Sequence, residues 1–252
     1  MGKYWFWRST HSYLEFGIEI MEIITNKITK TCPESEIYNE LLQLDNKHIL
    51  ELGCGTAELT RTIATEGQGR KILATEVDEI QHNNNLLINN LPNVTFKLAG
   101  AEKIPTADNT FDVVFMFKSL HHVHGELMGQ ALTEVQRVLK PNGLAYISEP
   151  IFAGDFNEVL RLFHDEEEVR KQAFLAVKHA VDTGIFSLVT ETFFNLPLVF
   201  EDFTDFENKV LKSTHTEMNL SDTVYKQVKQ LFVKQEAGKF TVPIRIDLLQ
   251  AV

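Results

Sequence analysis

The chain has 252 residues, and its 35 acidic and 24 basic side chains give a formal net charge of −11 with histidine neutral. This length predicts one large domain, and 44% hydrophobic with 23% charged residues excludes disordered and disulfide-based classes. The negative charge argues against a nucleic-acid partner, because an acidic surface repels a phosphate backbone.

The two cysteines and the apolar runs bear on the compartment. Cys32 and Cys54 form no C-x-x-C pair, so we expect two reduced thiols. No charge-free apolar window reaches about 18 residues, and residues 1–7 lack the roughly 7–15 apolar residues of a secretory signal. These features predict a cytoplasmic protein without a membrane span, as a monomer or homodimer.

The N-terminal part of the chain predicts helices. Apolar residues at helical spacing predict a helix over residues 14–30. A second helix is expected to begin with Thr31 as its N-cap and Pro33 in its first turn, and to end near Leu44. The aromatic residues Tyr4, Trp5 and Trp7 either close over a ligand or pack as an N-terminal arm.

From His48 onward, short apolar strands alternate with helices. We expect strands at residues 48–52, 72–76, 94–98, 111–117 and 144–148, and helices at about 57–66, 80–87 and 126–139. This alternation predicts a parallel α/β sheet, with the carboxyl ends of its strands at one edge.

The pattern changes after Glu149. One or two helices are expected over residues 155–183, and further helices over 203–214 and 221–235, with strands at 193–200 and 240–249. In this part of the chain, aromatic side chains either line an apolar acceptor pocket or form core: Phe152, Phe156, Phe163, Phe174, Phe186, Phe193 and Phe194. We interpret the chain as one domain with a helical N-terminal segment (1–44), a binding core (45–150), a mainly helical cap (151–236) and a final strand (237–252).

The turn after the first strand is the strongest functional signal. It reads Glu51-Leu52-Gly53-Cys54-Gly55-Thr56, and glycines there allow close approach of a ligand to the backbone. A dinucleotide fingerprint needs a third glycine, but that position is Glu58, whose charge opposes a pyrophosphate. A ligand without phosphates fits better, and Glu51 can bind a cation such as an ammonium group.

An acid at the end of the second strand points to a nucleoside. Glu76 follows the turn by about twenty residues, where a carboxylate accepts hydrogen bonds from ribose hydroxyls. A nucleoside joined to an amino acid rather than to pyrophosphate is S-adenosylmethionine.

Five segments together carry a family resemblance. They are the turn at 51–56, the acid Glu76, the stretches 101–105 and 108–112 (Ala-Glu-Lys-Ile-Pro and Asp-Asn-Thr-Phe-Asp), Ser119-Leu120-His121-His122-Val123, and Glu134-x-x-Arg137-Val-Leu-Lys-Pro-Asn-Gly143. With these five segments in this order, the chain resembles the class I S-adenosylmethionine-dependent methyltransferases. Within them it is similar to the group related to ubiquinone and menaquinone C-methyltransferases (methyltransferase type 11). The resemblance covers about residues 45–150.

The resemblance implies a fold and a set of cofactor contacts. The fold would be a Rossmann-like, seven-stranded, mostly parallel sheet with helices on both faces, a reversed last strand and a helical insertion before the last two strands. The implied contacts are Glu51, Gly53, Cys54, Gly55, Thr56, Glu76, Val77, Gly100, Ala101, Glu102 and Lys118. The family has an Asp that contacts the adenine amino group where this chain has Gly100.

The histidines in and next to the fourth segment admit two interpretations. His121, His122 and His124 lack further Cys or His partners at zinc spacing, so no metal is expected. His121 or His122 is the candidate general base if the acceptor is a hydroxyl or an acidic carbon. The acidic run at residues 165–168 is interpreted as a solvated helix start.

These observations predict a methyltransferase acting on a small molecule. Alternatives are a methyltransferase acting on a protein or nucleic acid, and a noncatalytic module that binds the cofactor. The resemblance identifies the donor but not the acceptor, because one fold serves many substrates.

Overall fold

The sheet has seven strands in a computed structural model that describes residues 21–25, 28–212, 220–235 and 238–252. The strands lie in the order β3-β2-β1-β4-β5-β7-β6, and β7 alone runs in the direction opposite to the other six. Their bounds are β1 His48–Leu52, β2 Lys71–Glu76, β3 Val94–Leu98, β4 Phe111–Phe117, β5 Leu139–Pro150, β6 Phe186–Val199 and β7 Lys239–Ala251. The mostly parallel sheet and its reversed last strand are confirmed.

Helices connect the strands and extend the cap. They are α1 Glu34–Leu41, α2 Glu58–Thr65, α3 Glu79–Asn85, α4 Met128–Val138, α5 Asp155–Leu160, α6 Glu167–Asp182, α7 Phe203–Phe206 and α8 Asp222–Lys234. Two 3₁₀ turns, Leu120–His122 and Gly125–Leu127, precede α4, and a π-helical turn, Glu207–Leu211, follows α7. No helix among the described residues is long and apolar enough to cross a membrane.

The central strand β4 shows how both faces of the sheet are covered. Successive strand residues point to opposite faces. Val114 and Met116 pack with α4 and α6, whereas Val113, Phe115 and Phe117 pack with α1 and α2. Each large side chain buried in this way contributes about 1.5–3 kcal/mol. The predicted helices on both faces are therefore present.

The aromatic residues of the cap belong mainly to cores. Phe156 and Phe163 join a separate cluster between α5, α7, α8 and the ends of β6 and β7. Phe174, Phe186 and Phe194 are buried in the two main cores. For these five residues, the core interpretation accounts for the aromatic content.

Several element boundaries differ from the predictions. Residues 21–25 and 28–30 are not helical, while 14–20, 26–27 and the three N-terminal aromatic residues lie outside the described residues. Pro33, not Thr31, is the N-cap of α1, which ends at Leu41. Thr31 instead forms a bridge with Asn195, and Cys32 N donates to the Asn195 carbonyl at 3.1 Å. Pairing with β6 therefore overrides the local capping signal.

The cap also departs from the predicted pattern. The one or two helices expected over residues 155–183 are two, α5 and α6, but β6 begins at Phe186, earlier than expected. The helix predicted over residues 203–214 corresponds to the short helix α7 and the π-helical turn that follows it. Residues 213 and 214 lie outside the described part of the chain.

Candidate functional site

The carboxyl ends of the parallel strands bring four charged side chains to one edge. Glu51 is the penultimate residue of β1, Glu76 ends β2, Lys118 follows β4, and Glu149 lies near the end of β5. Ligands of open α/β sheets bind at this edge. A separate groove that includes His48, Lys71 and Phe111 lies at the opposite, amino-terminal edge.

The two glycines of the turn after β1 have different surroundings. Both adopt positive φ, +73° at Gly53 and +51° at Gly55. A Cβ on Gly53 would lie 2.8 Å from the Cβ of Ser119, whereas a Cβ on Gly55 would meet nothing within 4 Å. Gly53 is thus required for packing against the segment after β4, and the open side of the turn is at Gly55. The exposed Thr56 follows directly.

Glu76 holds this turn against the end of β2. Its carboxylate accepts hydrogen bonds from the backbone N–H of Gly55 at 2.8 Å, of Val77 at 2.7 Å and of Asp78 at 3.0 Å. The Val77 side chain is 66% exposed beside it. Three main-chain N–H groups therefore fix the position of the Glu76 carboxylate, next to the exposed side chain of Val77.

Cys54 has the surroundings of a packing residue. Its N–H donates to the Thr75 carbonyl at 2.9 Å, and burial raises the pKa of its thiol. The amide of Asn85 in α3 lies 3.5 Å from the Cys54 sulfur and donates to the Gly55 carbonyl at 2.8 Å. Asn85 is not among the site residues predicted from the sequence.

Glu51 is a buried carboxyl group whose pKa is raised. It is 2% exposed and accepts a hydrogen bond from the Thr60 hydroxyl at 2.6 Å. Burial raises its pKa to about 7, which the Thr60 hydrogen bond and the charge of Lys118 oppose. The group is therefore poised near neutrality, where a nearby cation favours the ionised form.

Lys118 connects the sheet edge to the N-terminal helix. Its backbone has φ +51°, and its Nζ lies 2.8 Å from a carboxylate oxygen of Glu34, a buried residue of α1. Sequence reasoning missed Glu34, because no local signal links residues 84 positions apart.

The loop after β3 contains three of the predicted contacts. Ala101 is buried, while Gly100 and Glu102 are partly exposed. The Glu102 carboxylate occupies the space that a side chain on Gly100 would take. A negative group therefore lies beside position 100, although the sequence has no acid there.

Two motif residues of α4 hold this loop in place. Arg137 donates to the carbonyls of Thr106 at 2.9 Å and Ile104 at 3.0 Å, and pairs with Asp108 and Glu134. Glu134 in turn accepts from the Ile104 N–H at 2.9 Å. The Glu-x-x-Arg pattern thus has a structural role in fixing the loop.

The two candidate catalytic histidines lie in a cluster of charged residues. His121 is buried, and its Nδ1 forms a short hydrogen bond with Glu149. Burial alone would lower the pKa of His121, but the charges of Glu149 and Glu166 raise it. His122 is more exposed, and its ring centroid lies 4.1 Å from that of His121. Desolvation and the charge of His121 lower the pKa of His122 to about 4.

The acidic run before α6 differs from the prediction at one residue. Glu166 was expected in a solvated helix start, but it is buried and pairs with Arg170 and with His164 at 3.0 Å. Ligand atoms of His121, His122 and Glu166 lie within 4.8 Å of one another, the spacing of a possible metal site. Tertiary contacts with the histidine turn, which the sequence does not reveal, bury Glu166.

Comparison with known proteins agrees with this geometry. A family model described as a methyltransferase domain matches residues 49–143, the segment that contains the turn, Glu76 and the histidines. This segment is a methyltransferase domain. The methyltransferase domain is similar to the uncharacterized protein YafE of Escherichia coli K12, 31% identical over 121 residues, which are 45% of this chain and 56% of YafE.

Other relatives and solved structures extend the comparison. The O-methyltransferase rstn1 of Aspergillus nomiae is 31% identical over 155 residues, or 58% of this chain and 64% of rstn1. The chain therefore spans less than two thirds of the length of these relatives. A putative methyltransferase of Bacillus halodurans is 16% identical with a TM-score of 0.58, over 86% of this chain and 96% of that one. That likeness shows that the methyltransferase domain and its flanking segments share the class I methyltransferase fold.

Proposed function

We propose that the chain is an S-adenosylmethionine-dependent methyltransferase that acts on a small molecule. One observation carries the proposal: within a methyltransferase domain, Glu51, the open turn at Gly55 and Glu76 converge at the carboxyl edge of the sheet. At this edge, Glu51 is placed to bind an ammonium group and Glu76 to bind ribose. The accessible backbone of the turn at Gly55 lies between them and can border the methionine portion of the donor.

The donor contacts follow from this geometry. Glu51 binds the ammonium group, with Lys118 beside it, and the backbone from Gly53 to Thr56 borders the methionine portion. Val77 packs on adenine, and the segment Gly100-Ala101-Glu102 borders the opposite side of the ring. The Glu102 carboxylate, which lies in the space beside Gly100, accepts from the adenine amino group in place of the missing Asp.

Glu76 has limited capacity for ribose. A carboxylate offers about four acceptor positions, and three are used by backbone N–H groups. The remaining position, on the oxygen that also accepts from Gly55, takes one ribose hydroxyl. A second hydroxyl requires one backbone donor to shift, so ribose binding is coupled to the conformation of the turn.

Methyl transfer itself depends mainly on alignment. The reaction is an in-line displacement at the donor sulfonium, and holding the acceptor about 3 Å from the methyl group supplies several kcal/mol. His121 has carboxylates near both ring nitrogens, and the pKa of about 4 makes His122 a weak base. We therefore assign the histidines a contact with the acceptor rather than an obligatory proton transfer.

A small-molecule acceptor is supported by the relatives. They include the O-methyltransferase rstn1 and the sterol 4-C-methyltransferase strm-1 of Caenorhabditis elegans, 30% identical over 122 residues, 47% of this chain and 36% of that protein. The acceptor would bind between the histidine turn and the cap helices.

Calorimetric titration tests the donor assignment. Purified protein should bind S-adenosylmethionine and S-adenosylhomocysteine with micromolar affinity and should not bind NAD. Glu76→Ala should weaken both affinities at least about tenfold, since it removes a charged acceptor, while exposed Glu126→Gln serves as the matched control. Binding of NAD alone, or unchanged affinity in Glu76→Ala, would reject the proposed site.

A further inference from the structure

The cluster around the histidine turn has the composition of a metal site. His121 and His122 lie on the 3₁₀ turn after β4, and Glu166 immediately precedes α6. One potential ligand atom from each lies within 4.8 Å of the others. Two imidazoles and one carboxylate form a donor set that occurs in catalytic zinc sites.

His121 is oriented as a metal ligand would be. Its Nδ1 is bound by the Glu149 carboxylate, and the other oxygen of Glu149 accepts from the Leu120 N–H at 2.9 Å. A carboxylate on one ring nitrogen fixes the direction of the other, an arrangement that metal-binding histidines share. The Nε2 of His121 is consequently directed at Glu166.

Glu166 is oriented from the other side. One of its oxygens is bound by Arg170 Nε at 3.1 Å, and Arg170 also donates to the Ile151 carbonyl at 3.2 Å and to Asn157 at 3.1 Å. The second oxygen lies 3.7 Å from His121 Nε2 and 3.0 Å from His164 Nε2. A separation of 3.7 Å is long for a hydrogen bond but accommodates an ion about 2.0–2.2 Å from each atom.

We propose that His121, His122 and Glu166 bind a divalent transition metal of the zinc type. Glu149 and Arg170 act as positioning residues, and His164 donates to the liganding oxygen of Glu166. Nitrogen donors favour zinc over magnesium or calcium, which prefer oxygen ligands.

The position of the ion suggests its use. The cluster joins the carboxyl ends of β4 and β5 to the first turn of α6, next to Ser119, whose hydroxyl donates to the Leu52 carbonyl at 2.8 Å. Three protein ligands leave a fourth position open, which can take an oxygen atom of the acceptor. Metal binding by itself does not depend on the proposed methyl transfer.

The test uses the full chain, untagged and treated with a chelator. Zn²⁺ is titrated in competition with a chromophoric chelator, and Co²⁺ is used to record visible absorption bands. We expect one equivalent to bind, with His122→Ala and Glu166→Gln each weakening affinity at least about 100-fold. Glu149→Gln should weaken it about 10- to 100-fold, as is typical of groups that orient a ligand. His124→Ala, at an exposed histidine two positions beyond His122, should match the wild type.

The outcomes separate the possible explanations. Absence of one-equivalent binding, or wild-type affinity in both His122→Ala and Glu166→Gln, would overturn the proposal. Because His122 is exposed, its substitution keeps the test valid if Glu166→Gln does not fold. Zinc binding without S-adenosylmethionine binding would uphold the metal site and reject the proposed function.

Discussion

Glu51 connects proton binding to donor binding at the scale of a single residue. Burial raises its pKa to about 7, and the charged groups that face it are Lys118, Glu34 and Glu76. The ionised form attracts the cationic donor, so affinity for S-adenosylmethionine should rise about tenfold between pH 6 and pH 8. Calorimetry across this range should show a flat, weaker profile for Glu51→Gln. A parallel rise in the variant would place the titrating group elsewhere.

The raised pKa of Glu51 also makes folding stability depend on pH, and stability changes with pH in the direction opposite to donor affinity. A carboxyl group whose pKa is raised by folding stabilises the native state while protonated, and this contribution is lost as pH rises through about 7. Relative to Glu51→Gln, the wild type should lose up to about 3 kcal/mol of unfolding free energy between pH 5 and pH 8. Denaturant titrations at the two pH values measure the difference.

The two glycines of the turn form a matched pair for mutation. Gly55→Ala and Gly53→Ala both place a side chain at positive φ, which costs about 1–2 kcal/mol. Only Gly53→Ala also creates a contact of 2.8 Å with Ser119. We expect Gly55→Ala to weaken donor binding about tenfold with modest loss of stability, and Gly53→Ala to lose clearly more unfolding free energy. Equal stability of the two variants would contradict the packing role of Gly53.

The ion pair between Lys118 and Glu34 acts at the scale of an element, because it attaches α1 to the sheet edge. Lys118→Met should destabilise the protein by about 2 kcal/mol, since it leaves the buried Glu34 carboxylate without its partner. The double variant with Glu34→Gln should recover most of this loss. Glu36→Gln, on the exposed side of α1, is the control. Additive effects in thermal unfolding would show that the two residues are uncoupled.

Donor binding should be visible in the whole molecule. A ligand present at 100 times its Kd adds about 2.7 kcal/mol to stability, which in a chain of this size raises the Tm by about 5–10 °C. S-adenosylmethionine should produce this shift and NAD should not. A shift with S-adenosylmethionine that persists undiminished in Glu76→Ala would locate the donor outside the proposed edge.

Some features of this protein were readable from local sequence. Strands β1, β3 and β4 have the predicted bounds. A continuous apolar run between turn residues specifies the buried strand β4. The more exposed edge strand β3 contains the β-forming residues Val94, Thr95 and Phe96. Ile244, Ile246 and Leu248 of β7 share one face, as their period-two spacing requires. The glycine turn and Glu76 were located by their spacing, because the turn directly follows β1 and Glu76 is the last residue of β2. The cytoplasmic location and the oligomeric state stay predictions.

The tertiary structure alone decided which distant side chains meet. Local capping rules placed Thr31 at a helix start, but pairing with Asn195 in β6 moved it into an extended bridge. The sequence predicted that Glu166 lies in a solvated helix start, yet the fold buries it beside His121 and Arg170. Patterns of apolar residues determine strands, helices and their order, because these depend on neighbours in the chain. Burial and partners of charged groups depend on the crossing of remote segments, which local sequence does not encode.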